Sequence, residues 1–289
     1  MNVNPEHRSQ MAVMSLPALI FTLAMIAFPL GYTIWMSFQS YSSTGQVVGW
    51  GGQNYARMVQ DGQFWNGIWI TVYIYALSLA LQMVFGTALA LLLFRARRLP
   101  GIVRSLFISP FMLPPVVAGM MWLVILDPSL GAANWLLTSI GLPPSSWLAS
   151  PLMVVPTLAM IDSWQWTPYV ALIVLGGLQS LPPSVYEAAE IDGAPRHKVF
   201  WRITLPLLLP TLVTAMVLRS VDLLRFFDLI YITTQGGPAN HSMTLNIYGF
   251  RVGFEFFQLG YAGALMVTLS VMVLGAVIAL NRLRAAVEW

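Results

Sequence analysis

Five ionisable side chains interrupt two long apolar stretches of the chain. Asp162 stands inside one stretch, and Arg219, Asp222, Arg225 and Asp228 follow one another at three-residue intervals inside another. A charge at the centre of a bilayer costs roughly 2.5–3.5 kcal/mol, so such residues usually face a protein interior or an aqueous cavity. Carboxylates accept hydrogen bonds and guanidinium groups donate them. This combination suits the binding of a polar solute within a membrane.

A purely structural role is the alternative for the same residues. Side chains three positions apart are neighbours on a helix surface, so the alternating series could neutralise itself and fasten helices together. At about 1.5 Å per residue, Asp162 and Arg219 each lie roughly 17–18 Å along their stretches. Both therefore fall near the middle of a hydrocarbon core about 30 Å thick. We expect them to face one cavity, with Asp222 holding the Arg219 guanidinium.

No catalytic or nucleotide-binding pattern accompanies these charges. The chain has no cysteine, three scattered histidines, and neither an H-E-x-x-H nor a G-x-S-x-G sequence. Those patterns would indicate a metalloprotease or a serine hydrolase. A G-x-x-x-x-G-K-[ST] phosphate-binding loop is also missing. We therefore expect no catalytic residue, no metal site and no cofactor on this chain.

The composition predicts an all-α polytopic membrane protein. Of 289 residues, 57% are hydrophobic and only 9% are charged, whereas soluble domains carry about 25% charged residues. A transmembrane helix needs about 20 apolar residues, and Pro114 and Pro115 should break the third of the predicted spans. The first segment is expected to remain as a span. The six predicted spans lie near 11–38, 67–94, 105–126, 151–178, 207–234 and 261–283.

The distribution of Lys and Arg predicts the orientation. Cytoplasmic connections are enriched in these residues. One alternating set of connections holds ten of them and the other holds two, which places 1–10, 179–206 and 284–289 in the cytoplasm. The ten are Arg8, Arg95, Arg97, Arg98, Arg104, Arg196, Lys198, Arg202, Arg282 and Arg284, against Arg57 and Arg251 outside. The outer connections carry tryptophans suited to the membrane interface, namely Trp50, Trp65, Trp135 and Trp147.

The longest ordered polar segment runs from residue 182 to residue 206. Ser184 and Glu187 have the S-x-x-E spacing of a capping box, which predicts a helix start. Gly193 is placed to close that helix, and Pro195 is suited to the first turn of a second one. The segment therefore predicts a helix–turn–helix between two spans that contacts a partner.

The same segment resembles the EAA loop of ATP-binding-cassette (ABC) importer permeases. The matching residues are Glu187-Ala188-Ala189, then Gly193, then Ile203-x-Leu205-Pro206 at the spacing of that motif. In such importers this loop is a coupling helix that docks in a cleft of the cytoplasmic ATPase subunit. The resemblance implies that coupling residues here are Glu187, Ala188, Ala189, Asp192, Gly193 and Arg196.

Two further patterns resemble the maltose-type group of sugar-importer permeases. They are Trp164-x-x-x-x-Tyr169 and the run from Phe227-Asp228 to the Gly-Gly-Pro at 236–238. The resemblance implies the type I ABC importer permease fold and import of a sugar, polyol or sugar derivative by alternating access. It carries substrate contacts, with Asp222 added as a neighbour of Arg219, onto Phe111, Pro115, Asp162, Gln165, Trp166, Tyr169, Arg219, Asp222, Leu223 and Asp228.

The resemblance also implies a set of partners. They are a second homologous permease, two ATP-binding subunits that hold ATP and Mg, an extracytoplasmic solute-binding protein, a small-molecule substrate and membrane lipid. This sequence carries neither the additional N-terminal spans nor the large extracellular domain of the maltose member. The alternative is a secondary transporter or channel not coupled to ATP, which would leave the EAA-like segment unexplained. The sequence does not name the solute.

Overall fold

The computed structural model describes residues 5–41, 46–96 and 101–287. The chain divides into two compact units, one formed by residues 1–61 and 249–268 and the other by residues 62–248 and 269–289. The helices are α1 (Pro5–Ser37), α2 (Gln53–Gln60), α3 (Gly62–Arg95), α4 (Gly101–Ile108), α5 (Pro115–Ile125), α6 (Ala132–Ser139), α7 (Val154–Ser180), α8 (Pro183–Ile191), α9 (Arg196–Val199), α10 (Leu205–Leu224), α11 (Asp228–Thr233), α12 (Leu245–Phe250) and α13 (Leu259–Val287).

The predicted all-α membrane architecture is confirmed. Among the described residues, four helical segments are long and apolar enough to cross a bilayer, namely Ser15–Ser37, Gly62–Arg95, Arg196–Leu224 and Leu259–Ala286. Two bent helix pairs bring the number to six if each crosses as one span: Gly101–Met112 with Pro115–Ile125, and Val154–Ser180 with Pro183–Ile191. One feature was not predicted. Strands β1 (Gln39–Tyr41) and β2 (Val47–Trp50) form a short antiparallel pair in the connection between the first two predicted spans.

In the larger unit, α3 and α7 pack closely against each other. A Cβ placed on Gly86 of α3 would lie 2.6 Å from Cγ1 of Val170 in α7. Only a residue without a side chain allows two helices this approach. Buried aliphatic residues form two core clusters, and Val170 belongs to the second of them. Ile74, Leu158 and Ile161 belong to one cluster, and Ala90, Val174 and Leu208 to the other.

The third predicted span is broken at its proline pair. A 3₁₀ turn, Ser109–Met112, follows α4, and α5 begins at Pro115 with a bend of 100° between the two parts. Proline at the first position of a helix costs nothing because its missing N–H would be unpaired there. The Gln165 side chain of α7 donates a hydrogen bond to the Leu113 carbonyl at 2.7 Å. This bond satisfies a backbone acceptor that the break leaves free.

The prediction of one continuous helix over 207–234 is wrong. Helix α10 ends at Leu224, and α11 starts at Asp228 after a short non-helical link. The Asn246 side-chain amide donates to the Arg225 carbonyl at 2.7 Å, which satisfies an acceptor at the end of α10. The spacing of three residues therefore brings Arg219, Asp222 and Arg225 together at the C-terminal end of α10, where Arg225 is the C-cap, but Asp228 belongs to the next helix.

The polar segment folds as two helices, but its predicted cap is wrong. The N-cap of α8 is Pro182 and no side chain caps it, so Ser184 and Glu187 form no capping box. Pro183 occupies the first helical position, where its missing N–H leaves one donor fewer to satisfy. Gly193 has φ +63°, the left-handed conformation expected after a helix end. Pro195 is the N-cap of α9 rather than a first-turn residue.

The second helix of this segment is continuous with the fifth span. Helix α9 leads through a π-helical turn, Phe200–Thr204, directly into α10. The Tyr186 hydroxyl of α8 donates to Thr204 Oγ1 at 3.2 Å. This hydrogen bond links α8 to the turn that leads into α10.

The smaller unit contains α1, the strand pair, α2 and the start of α13. Asn54 of α2 donates hydrogen bonds to the Ser37 and Gln39 carbonyls at 2.8 and 2.9 Å, which fixes α2 against the end of α1. The Arg57 guanidinium lies 4.3 Å from the centre of the Tyr261 ring, in cation–π geometry. The apolar side chains of α1 between residues 15 and 35 remain exposed, as Phe28 shows at 73%.

The connection 127–150 is ordered by polar contacts. The Asp127 carboxylate accepts hydrogen bonds from the Leu130 and Ser129 backbone N–H groups, which hold the pKa of that carboxyl below its usual value. Asn134 Oδ1 accepts from the Trp147 ring N–H at 2.8 Å. Trp147 is therefore held by the loop itself, whereas Trp135 is 71% exposed.

Candidate functional site

Three polar side chains from three helices meet in the buried centre of the larger unit. Arg219 of α10 donates from Nε to Oε1 of Gln82 in α3 at 2.8 Å. Gln82 in turn donates from Nε2 to Oδ2 of Asp162 in α7 at 2.5 Å. Nη2 of Arg219 lies 3.3 Å from the same carboxylate oxygen. The Arg219 and Asp162 side chains are 2% and 1% exposed, so this ion pair is almost completely desolvated.

The remaining face of the Arg219 guanidinium has two further neighbours. Nη1 lies 3.6 Å from Oδ2 of Asp222, a half-exposed carboxylate one turn along α10. The guanidinium carbon lies 4.2 Å from the centre of the Trp166 ring, which adds a cation–π contact. Asp222 therefore holds the guanidinium as predicted, but Gln82 and Asp162 hold it more closely.

Two members of this network, Asp162 and Arg219, line a cavity of about 410 Å³. The cavity is lined by side chains of α5, α7, α10, the link after α10, α11 and α12. An indole, two phenyl rings, two amides and five charged groups are among them. The lining residues are Pro115, Asp162, Gln165, Trp166, Arg219, Asp222, Arg225, Phe226, Phe227, Asp228 and Asn246.

Most of the substrate-binding residues predicted by resemblance meet at this cavity. Pro115, Asp162, Gln165, Trp166, Arg219, Asp222 and Asp228 all line it. Phe111 and Tyr169 lie outside the lining and support Trp166, with ring centres 5.3 and 5.8 Å from the indole. Leu223 is completely buried and does not line the cavity. It follows Asp222 by about 100° around the helix, so it points to a different side.

Several residues of this region were not predicted. Gln82 is the most important of them, because it is the uncharged member of the network and bonds to both charged members, Arg219 and Asp162. Its signal is weak, since it is a single amide in the long apolar run of α3. Arg225 was predicted only as one member of a charge series and not as a residue of the cavity. Asn246, Phe226 and Phe227 reach the cavity only because α10 ends at Leu224, and no local pattern predicts that end.

The cavity carries an excess of negative charge. Asp162, Asp222 and Asp228 are balanced by two arginines, Arg219 and Arg225. Asp222 pairs with both arginines, at 3.6 and 3.8 Å. Within the described part of the chain, Asp228 has no ion-pair partner. One carboxylate is thus left to accept hydrogen bonds from a solute or to repel an anion. No group of three or more His, Cys, Asp or Glu in the described residues could hold a metal ion.

Residues 182–206, which we call the coupling segment after their predicted role, present a second surface on α8. On α8, Glu187 and Ala188 are exposed, whereas Ala189 is only 6% exposed and packs against the chain itself. The prediction that both alanines form one docking face is therefore wrong for Ala189. Ile191, at the end of α8, is 87% exposed. The outward face of α8 thus combines a carboxylate, a small residue and an aliphatic side chain.

These features define a class of protein: a polytopic helical membrane protein with a polar cavity among its spans and a polar helix pair between two of them. Residues 82–288 match the family described as binding-protein-dependent transport system inner membrane component. The match covers most of the chain, and this protein therefore belongs to that family. It is a transmembrane permease component of an ABC transporter rather than a self-sufficient channel or secondary transporter.

Curated relatives span nearly the same length. The chain is 34% identical over 254 residues to the trehalose/maltose transport system permease protein MalF of Thermococcus litoralis, covering 87% of this chain and 84% of that protein. It is 33% identical over 257 residues to the sulfoquinovosyl glycerol transport system permease protein SmoG of Agrobacterium fabrum, covering 88% and 83%. It is also similar to the Agrobacterium fabrum sn-glycerol-3-phosphate permease protein UgpA, at 31% identity over 265 residues, covering 89% and 88%.

Solved structures show the same fold. One chain of a bacterial ABC transporter involved in the import of the acidic polysaccharide alginate superimposes with a TM-score of 0.84 over 98% of each chain, at 23% identity. A chain of the MetNI methionine ABC transporter superimposes with a TM-score of 0.56 over 77% of this chain and 95% of that chain, at 19% identity. This agreement establishes the permease fold, while the identities are too low to transfer a cargo.

Proposed function

We propose that this permease carries a neutral polyhydroxylated solute, a sugar or polyol, into the cell. The observation that supports the proposal most is the cavity beside the Gln82–Asp162–Arg219 network. The Trp166 ring offers an apolar face for the C–H groups of a sugar. Carboxylates and amides around it offer acceptors and donors for hydroxyl groups. Relatives named for trehalose and maltose support the same class of cargo.

The excess of negative charge in the cavity favours a neutral cargo over an anionic one. Two relatives are named for sulfoquinovosyl glycerol and sn-glycerol-3-phosphate, both of which carry an anionic group. A bound anion requires an unengaged cation, but Arg219 already contacts two carboxylates and Arg225 is paired with Asp222. Asp228, which has no ion-pair partner among the described residues, adds a further negative charge to the lining. A neutral solute avoids this repulsion and still uses the hydrogen-bonding groups.

The proposed transport cycle requires partners that this chain does not contain. A second homologous permease completes the translocation path, and an extracytoplasmic solute-binding protein delivers the solute. Two ATPase subunits bind ATP and Mg, and their closure moves α8 of each permease so that the cavity turns outward. No chemical step occurs on this chain. The proposal places the 179–206 segment and both termini in the cytoplasm, as the excess of Lys and Arg there indicates.

Replacing Trp166 with leucine tests the cargo. We expect uptake of trehalose or maltose by the reconstituted complex to fall about tenfold, because the indole face and its contact to Arg219 are lost. The measurement is uptake of labelled solute into vesicles that contain the permease pair, the ATPase and the binding protein. Sn-glycerol-3-phosphate offered to the same vesicles should not be taken up.

Trp164→Leu is the matched control. Trp164 is a half-buried indole on the same helix, but it pairs with Trp122 and does not line the cavity. Equal losses in both variants would show that the effect comes from packing and not from the cavity. Uptake of the anionic solute in preference to both neutral sugars would contradict the proposed cargo.

A second variant tests the coupling role of α8. Ala188→Trp is expected to lower recovery of the ATPase subunits with the permease about tenfold or more, because the exposed alanine leaves room for a closely packed partner. Co-purification of the ATPase with tagged permease measures this effect. Ala285→Trp is the control, since Ala285 is also exposed but lies on α13. Normal recovery and normal transport with Ala188→Trp would contradict docking at this face.

A further inference from the structure

A second cavity, of about 520 Å³, lies between the ends of α3 and α7 and the coupling segment. Two arginines from distant parts of the sequence line it: Arg95 is the last residue of α3, and Arg196 is the first residue of α9. Neither arginine pairs with an acidic side chain in the described part of the structure. Two unpaired guanidinium groups at one cavity favour an anionic ligand.

The rest of the lining is mostly apolar. Tyr186 and Thr204 contribute the only hydroxyl groups, and they are hydrogen-bonded to each other. The remaining wall is aliphatic and aromatic, formed by Leu91, Phe94, Leu178, Val199 and Phe200. A small hydrated anion gains nothing from such a wall. A ligand with an anionic group and attached hydrocarbon uses both parts of the lining.

The depth of the cavity agrees with that kind of ligand. Leu91, Phe94 and Arg95 occupy the last turn of a span, and Leu178 lies near the end of another. The end of a span is the level of lipid headgroups, where basic pockets between helices bind anionic lipids. The orientation proposed above places this end at the cytoplasmic leaflet, and the inference rests on that placement.

We propose that this cavity binds an anionic phospholipid, with the phosphodiester between Arg95 and Arg196 and hydrocarbon along the apolar wall. Guanidinium groups suit phosphate because their planar arrangement of donors matches its oxygens. The bound lipid links α3 to α9 beside the coupling helix. The lipid composition of the inner leaflet thereby acts on the segment that transmits ATPase movement.

The test measures lipid retention by the purified full complex. The complex is equilibrated with mixed vesicles of phosphatidylglycerol and phosphatidylcholine, repurified, and its retained lipids are quantified by mass spectrometry. We expect the wild type to retain phosphatidylglycerol in preference to phosphatidylcholine. Arg95→Gln should weaken this retention about tenfold, since a hydrogen-bonded charge pair is lost. Arg282→Gln should leave it unchanged, because Arg282 is an exposed arginine at the end of α13 and outside the cavity.

Several outcomes would overturn the proposal. Equal retention by wild type and Arg95→Gln, or an equal loss with Arg282→Gln, would show general charge attraction without a site. Displacement of the lipid by inorganic phosphate would identify a free-phosphate site. Lipid retention is measured without transport, so the proposed lipid site and the proposed cargo can be refuted independently of each other. Sugar uptake without Arg95-dependent retention refutes only the lipid site, and retention without sugar uptake refutes only the cargo.

Discussion

Asp162→Leu is expected to destabilise the folded permease by about 3–5 kcal/mol. The substitution leaves the Arg219 guanidinium buried with its closest carboxylate removed, and an unpaired buried charge carries a penalty of this size. It also leaves the Gln82 amide without the oxygen to which it donates. Asp222 offers only partial compensation, because its carboxylate is 49% exposed and lies 3.6 Å away. The measurement is chemical or thermal unfolding of the purified subunit in detergent.

A variant that lacks all three network side chains distinguishes their effect on folding from their effect on transport. The triple variant Gln82→Leu, Asp162→Leu, Arg219→Met replaces three polar groups with apolar ones of similar volume. Such replacements of buried ion pairs are often neutral or stabilising, so we expect most of the lost stability to return. Sugar uptake should remain absent, because the polar wall of the cavity is gone. Normal uptake by the triple variant would show that the three residues serve only the fold.

Arg219→Lys distinguishes two functions of the cation. Lysine keeps the charge beside Asp162 but loses the arrangement of donors that reaches Gln82 and Asp222 as well. A variant that assembles with the ATPase but does not transport would place Arg219 at the substrate path. A variant that neither assembles nor transports would assign it to packing of α3, α7 and α10.

Gly86→Ala is expected to destabilise the permease by about 1–3 kcal/mol, the usual cost of an added methyl group in a tightly packed core. The new Cβ would lie 2.6 Å from Cγ1 and 2.8 Å from Cβ of Val170, and 3.3 Å from the backbone nitrogen of Ala171. The backbone atom prevents relief by a side-chain rotation alone. Helices α3 and α7 would separate, and both contribute to the polar network. Unfolding in detergent measures the change.

Gly176→Ala is the matched control for this prediction. Gly176 lies inside α7, and no atom is within 4 Å of the position its Cβ would occupy. Alanine is favoured over glycine in a helix by about 1 kcal/mol, and that gain applies at both positions. We therefore expect Gly176→Ala to be neutral or stabilising in the isolated subunit. Destabilisation of similar size at both positions would contradict the close helix contact at Gly86.

The membrane class, and the presence of two helices in the 182–206 segment, were both predictable from local sequence. Hydropathy, the unequal distribution of Lys and Arg between alternate connections, and the pattern from Glu187 to Pro206 are properties of residues that are close in sequence. They can therefore be recognised without the tertiary structure. The capping prediction failed because Pro182 and Pro183 start α8 without a side-chain cap. The docking-face prediction failed for Ala189 because burial depends on what packs beneath the helix.

The candidate cavity was predictable only in part. Asp162 and Arg219 stand out because a charge in an apolar run is rare and costly. Gln82 does not stand out, since a single amide is tolerated for many reasons. The link after Leu224 brings Phe227 to the cavity. A hydrogen bond from Asn246 to the Arg225 carbonyl, between residues 21 positions apart, holds this link and brings Asn246 to the cavity as well.

The sequence by itself determined that this chain is a helical membrane protein, and it indicated which residues are too polar to face lipid. Only the tertiary structure decided that Gln82, Asp162 and Arg219 bind one another, that Leu223 turns away from the cavity, and that Arg95 and Arg196 line the same cavity. The physical reason is that hydropathy and helix period act within one segment, whereas these contacts join helices 57 to 137 positions apart in the network. Such contacts depend on how closely the helices pack, which here includes the approach that Gly86 allows between α3 and α7.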